Sequence, residues 1–250
     1  MKGMEYLYEL FGSMPRGGPG TNESTRRAFE MIPALPEDPL ILDLGCGHGV
    51  QTLELARVSG GRIIALDNHQ PFLDILMGKA KEEALDERIV PTNMSMLEMD
   101  FDDGIFDLIW SEGALYNMGF QKGLEKGFQL LKDHGYMAVS EMVILSTDPP
   151  APVMEYLERE YPPVRDVQGN IEMIRAEGFH LMGHFTLESR AWLECFYDPM
   201  EKELNRLEER YRGNGTALEF FGEMRNEIYM YRKYGQFYGY EFFVMHKRGR

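Results

Sequence analysis

Residues 41–55, ILDLGCGHGVQTLEL, decide the fold. An apolar run carrying Asp43 drops into glycines at 45, 47 and 49, and apolar residues then resume at helical spacing. The pattern reads as a strand, a tight turn and a helix. Glycines in such a turn let backbone N–H groups approach a ligand, because no Cβ blocks the way. The spacing is not that of the dinucleotide fingerprint G-x-G-x-x-G: the third glycine comes one residue early, and Val50 stands where glycine is wanted. No Gly-Lys-Ser/Thr follows, as a P-loop would require. A carboxylate at Asp43, just before the turn, suits a cationic ammonium or sulfonium better than a pyrophosphate.

Outward from this stretch, the chain alternates as βαβ units do. LILDL (40–44) leads to a helix over about 49–58, and RIIALD (62–67) leads to a helix opened by Pro71. RIVPTNM reads as a weaker strand in which Pro91 argues for an edge position or a strand end, followed by strands FDLIWS (106–111) and GYMAVSEMVIL (135–145) around a helix at 119–131. Before them, residues 1–39 form a lead-in with one helix after Thr21-Asn22. After them come helices near 168–177, 199–212 and 216–234 and strands at 178–187 and in YGYEFFVMHKR, with Thr216-x-x-Glu219 offered as a capping box. The 250 residues, 44% hydrophobic, allow one α/β domain with a sizeable core. We divide it into a lead-in (1–39), a core (40–145) and a C-terminal half (146–250) with a helical insert over about 190–236.

The formal charge of −15 and the lack of a basic stripe argue against a nucleic-acid partner. Cys46 and Cys195 belong to no set with metal-ligand spacing, so no metal is expected. No stretch of about 18 apolar residues exists, and MKGMEYLYELFG has no signal-peptide core, so we expect a cytoplasmic chain without membrane insertion. The oligomeric state stays open.

LDLGCGHG resembles the first motif of the class I S-adenosylmethionine-dependent methyltransferases, roughly D/E-x-G-x-G-x-G. Asp67 closes the second strand where that family holds the two ribose hydroxyls. FDLIWSEGALYNMG resembles its fourth strand and following loop, and LLKDHGYMAVSE its helix, turn and fifth strand. The resemblance, closest to small-molecule enzymes of the ubiquinone/menaquinone and sterol kind, implies a Rossmann-like, doubly wound, seven-stranded and mostly parallel sheet with helices on both faces. The N-terminal segment and the late insert would form a cap. It implies S-adenosyl-L-methionine as cofactor and in-line methyl transfer to a small-molecule acceptor.

The same resemblance assigns the cofactor to Asp43, Gly45, Cys46, Gly47, Asp67, Asn68, Ser95, Met96 and Glu112. Ser95 falls where many relatives carry an acidic residue for the adenine amino group, which puts side-chain readout there in doubt. Glu112 is open between three roles: holding the cofactor's ammonium, assisting a substrate proton as a catalytic group, or capping its loop. His48 and His69 are further candidate bases. Tyr116 and Asn117 are placed beside the acceptor, and Trp192 and Tyr197 are expected to cover it. Two other classes stay in view: a cofactor-binding module without catalysis, and a nicotinamide-dependent oxidoreductase, which Val50 disfavours.

Overall fold

The computed structural model describes residues 3–249. Two helices precede the sheet, α1 (Met4–Gly12) and α2 (Asn22–Glu30). The lead-in therefore holds one more helix than its sequence suggests. Thr21 caps α2 as expected, accepting from Ser24 N–H while the Ser24 hydroxyl accepts from Thr21 N–H. The core follows as β1 (Leu40–Leu44), α3 (Val50–Ser59), β2 (Arg62–Asp67), α4 (Gln70–Glu82), β3 (Ile89–Asn93), β4 (Phe106–Glu112), α5 (Phe120–Leu130) and β5 (Leu131–Ile144). The C-terminal half contains α6 (Ala151–Glu160), the two-residue β6 (Arg165–Asp166), α7 (Val167–Ala176) and β7 (Phe179–Thr186). Then come α8 (Ser189–Trp192), one π turn (Leu193–Tyr197), α9 (Asp198–Arg210), α10 (Gly215–Tyr234) and β8 (Tyr238–Lys247).

The strands lie in the order β3-β2-β1-β4-β5-β8-β7, with β6 pairing beside the end of β5. The first five are parallel, whereas β8 runs antiparallel to both β5 and β7. This is the seven-stranded doubly wound sheet expected, with β6 as a short addition. Leu42, Leu44, Ile109 and Val139 face one core layer, and Ile41, Leu108, Trp110 and Ala138 face the other. Burial on both faces explains why these strands read as unbroken apolar runs. Pro91 sits in β3 at the sheet edge, where its missing N–H costs no ladder bond.

The strand order reverses between β1 and β4, so a crevice opens at their carboxyl ends, where open α/β sheets bind ligands. The glycine turn lies there. One local expectation is corrected: α10 is capped by Asn214, whose side chain accepts from Ala217 N–H at 3.2 Å, and not by Thr216. Asn at the cap satisfies a free helix N–H as well as threonine does and sets the start two residues earlier.

Candidate active site

The glycines of the turn do two different things. Gly45 has φ +70°, and a Cβ there would lie 2.4 Å from Ala114 Cβ and 3.2 Å from Met96 Cε. Gly49 has φ +81°, and a Cβ would meet Leu76 Cδ1 at 2.1 Å. Both are required by packing. Gly47 also has positive φ, +54°, but a Cβ there would meet nothing within 4 Å. It faces open space.

That space is a cavity of about 150 Å³ lined by the turn, Asp67, Phe72, the loop Glu112–Ala114 and the N-terminal stretch Arg16–Pro19. It falls below the roughly 300 Å³ at which small-molecule pockets usually begin. Arg16 narrows it by pairing with Glu112 across the opening. Asp67 Oδ2 accepts from Gly47 N–H at 2.9 Å, and Oδ1 accepts from His69 N–H at 2.9 Å. A carboxylate has about four lone-pair sites, so each oxygen can still accept once more. Burial raises the Asp67 pKa, against the backbone N–H groups that lower it. His48 is 2% exposed, its Nε2 has no partner, and burial followed by the charge of Lys79 lowers its pKa to about 4. It presents a neutral imidazole to the cavity at physiological pH. Cys46 lines the same wall, its thiol pushed well above the usual range by burial.

Several sequence-based assignments shift. Asp43 lies beneath the turn and outside the cavity wall: Oδ2 accepts from Thr52 Oγ1 at 2.6 Å, Oδ1 has no partner, and burial raises its pKa to about 7. It braces the turn. Glu112 is not a free base, because Oε1 accepts from Thr25 Oγ1 at 2.7 Å and Trp110 Nε1 at 3.0 Å while Oε2 pairs with Arg16. The catalytic role considered for it is corrected to holding the N-terminal segment over the cavity. His69 stacks on Tyr8 with ring centroids 3.6 Å apart, as part of the same closure. Asn68 is exposed and Ser95 Oγ accepts from Leu97 N–H at 3.2 Å; neither lines the cavity. Met96 reaches the site only by packing against Gly45.

The acceptor assignments divide. Tyr116 and Asn117 line a second cleft, of about 560 Å³, bounded also by Glu141, Tyr161 and Asn170. Trp192 and Tyr197 are each 1% exposed and cannot cover a ligand. Trp192 stacks on Tyr231 at 4.5 Å and lies tilted against Tyr240 at 4.7 Å, as a pillar between α10 and the sheet. Tyr197 turns its hydroxyl inward to donate to Glu227 Oε1 at 3.1 Å. Arg16 and Glu141 were not singled out by residue pattern as pocket residues, whereas His48, named as a candidate base, does line the cofactor cavity.

Residues 41–135 match the methyltransferase domain family. A sarcosine/dimethylglycine N-methyltransferase of Halorhodospira halochloris is 24% identical over 82% of this chain and 75% of its own length. A sterol 24-C-methyltransferase of Saccharomyces cerevisiae is 27% identical over 66% of this chain, which spans only 40% of that relative. The structure of a SAM-dependent methyltransferase from Geobacter sulfurreducens with S-adenosyl-L-homocysteine superposes with a TM-score of 0.84 at 17% identity, covering 98% of both chains. These matches do not single out the ubiquinone/menaquinone subgroup. The domain match, the methyltransferase relatives and the sheet order agree with the glycine turn and Asp67: residues 41–135 carry a methyltransferase domain, on a sheet with the fold of the S-adenosylmethionine-dependent methyltransferases.

Proposed function

We propose that the chain methylates a small molecule that enters through the cleft beside Tyr116 and meets the cofactor at the β4 loop. The observation carrying this reading is Gly47, the glycine of the turn whose missing Cβ leaves room for a ligand, with the Asp67 carboxylate hydrogen-bonded to its N–H. The cofactor supplies a methyl group already activated by its sulfonium. Asp67 would take the ribose hydroxyls with its remaining lone pairs. Gly47 and Cys46 would offer backbone close to the ligand. Neutral His48 and the Arg16–Glu112 pair stand where the amino-acid end would lie, Arg16 as a guanidinium suited to a carboxylate.

The protein's contribution to transfer is alignment and exclusion of water. Arg16, Gly17 and Gly18 lie over the cavity and must swing aside to admit a nucleotide-sized ligand, then close. The acceptor is a small molecule in the named relatives, and the −15 charge is unfavourable for nucleic acid. No described helix is long and apolar enough to cross a membrane. The free thiols Cys46 and Cys195 fit a reducing, cytoplasmic setting.

Calorimetry with S-adenosylhomocysteine tests the cofactor half of this reading. Formation of S-adenosylhomocysteine from S-adenosylmethionine across a panel of amines, alcohols, thiols and sterols tests the other. Binding without turnover on any acceptor class would leave a cofactor-binding module and overturn the proposal.

A further inference from the structure

An acceptor that carries a proton must lose it on methylation, and the side chains first considered as bases are engaged elsewhere. Glu112 is held by Arg16, Thr25 and Trp110, and His69 stacks on Tyr8. His48, with a pKa of about 4, is a weak base. Asp43 lines neither the cofactor cavity nor the second cleft.

The 560 Å³ cleft offers Glu141 on β5. Ser140, the residue before it, pairs in register with Glu112, and Ser140 Oγ accepts from Gly113 N–H at 2.9 Å. Glu141 therefore stands level with Gly113, a residue of the cofactor-cavity wall. It is 8% exposed, lines the cleft, and its Oε2 has no partner among the described residues. Its register neighbour on β8, Glu241, is taken by His184 and Thr186. Lys122, Glu160 and Arg165 stand exposed at the rim, and neither they nor Tyr116, Tyr161 or Glu241 perturb its protonation. Burial does, opposed by the Met142 N–H.

The walls of the cleft are aromatic and apolar. Tyr116 and Tyr161 meet edge to face with ring centroids 5.7 Å apart, Phe120, Met142 and Met173 add to the wall, and buried Asn170 is a second polar group. Such a space suits a flat apolar molecule bearing a hydroxyl. A carboxyl kept neutral by burial gives an ammonium no counter-ion, whereas a neutral phenol costs less to bury. We propose that Glu141 is the general base for a phenolic acceptor seated in this cleft. The proposal rests on the reading that this chain methylates a small molecule beside the β4 loop, and it names the acceptor class and the proton's destination. As the phenol oxygen bonds to the methyl carbon, the carbon–sulfur bond breaks and its electron pair stays on sulfur. The phenol proton passes to the Glu141 carboxylate, leaving an aryl methyl ether, S-adenosylhomocysteine and a neutral carboxyl. The acidities match: burial raises Glu141 to about 8 and a phenol titrates at about 10, about 100-fold apart. An aliphatic alcohol, about as weak an acid as water at about 15.7, lies out of reach of this base.

The test supplies the full chain and S-adenosylmethionine with two probe phenols, 2-naphthol and catechol, and with 2-naphthylmethanol as an alcohol of similar shape. Mass spectrometry of the methyl ether and of S-adenosylhomocysteine reads the transfer. At least one phenol should be methylated and the alcohol should not, with kcat rising about 10-fold per pH unit below pH 8. Glu141→Gln keeps the size and a hydrogen-bond acceptor but cannot take the proton. Its KM should change by less than about threefold while kcat falls by about 100-fold or more and loses its pH dependence. Its S-adenosylhomocysteine affinity, read by calorimetry, should match the wild type and shows that the variant is folded. Methylation of neither phenol, or of the alcohol as fast as the phenols, overturns the acceptor class. An unchanged kcat and pH profile in Glu141→Gln overturns the base. If the wild-type chain fails to bind S-adenosylhomocysteine, the functional reading falls; if it binds it and methylates no phenol, only this assignment falls.

Discussion

The two halves of the site are built by opposite means. The proposed cofactor side centres on one stretch, with Gly45–Gly49 and the end of β2 supplying backbone N–H groups and one carboxylate within 23 residues of chain. The proposed acceptor cleft is collected from the loop after β4, from β5, the segment after α6, and α7, and its lining lies in side chains. A backbone-built site tolerates little change, because its shape is the fold itself. A side-chain site on late elements can be revised without disturbing the scaffold, and specificity commonly resides there.

The largest expected effect sharpens the contrast within the turn. Gly47→Val forces a branched residue to φ +54° and fills the ligand space, so S-adenosylhomocysteine binding should weaken by more than about 100-fold. Gly49→Ala should instead lower the melting temperature, since its Cβ collides with Leu76. Retained binding in a folded Gly47→Val protein would move the cofactor elsewhere.

Asp67→Ala comes next. Hydrogen bonds to a charged group contribute about 1.5–3 kcal/mol, so calorimetry should register about 10- to 150-fold weaker binding. Unchanged affinity would remove Asp67 from the ribose site.

A pH series compares the halves by stability. Burial pushes the pKa of Asp43 to about 7 on the cofactor side, that of Glu141, in the second cleft, to about 8, and that of Glu227, on α10, to about 7. A carboxyl raised in the folded state stabilises the fold while protonated. Its contribution is full below the unfolded pKa, near 4, and is lost as pH rises through 7 to 8. Urea unfolding of the ligand-free chain should therefore show stability falling from pH 6 to 7.5 by on the order of 1 kcal/mol per carboxyl. Glu227→Gln and Glu141→Gln should each flatten the slope. A stability that rises over this interval would show that these groups are ionised and paired.

The smallest effect belongs to Trp192→Phe. Trp192 packs against Tyr231 and Tyr240 and touches no wall of the cofactor cavity, so the dissociation constant for S-adenosylhomocysteine should change by less than about threefold, under 1 kcal/mol. A larger loss would couple the α8–α10 region to the cofactor side.

The legible parts of the site are those whose signal is local. Asp67 and Gly47 are 20 residues apart and each sits at a strand end that alternation marks. Glu112 was legible in position but not in state: its partner Arg16 lies 96 residues away in a Gly/Pro loop with no period to read. Trp192 and Tyr197 show the converse error. They were expected to cover the acceptor, but an aromatic side chain does not by itself distinguish a pocket wall from a packed pillar, and both proved buried.

The sequence by itself determined the alternation of strands and helices from β1 to β5, the turn that opens at the switch point, and the carboxylate that closes β2. Hydrophobic periodicity and glycine spacing report the conformation of a few neighbouring residues, and those features need nothing more. Only the tertiary structure decided which glycine borders open space, that Arg16 occupies Glu112, and that Tyr116, Tyr161 and Glu141 share one cleft. Each depends on chain segments far apart in sequence meeting across the sheet, where side-chain packing and the cost of burying charge, rather than local pattern, choose the neighbours.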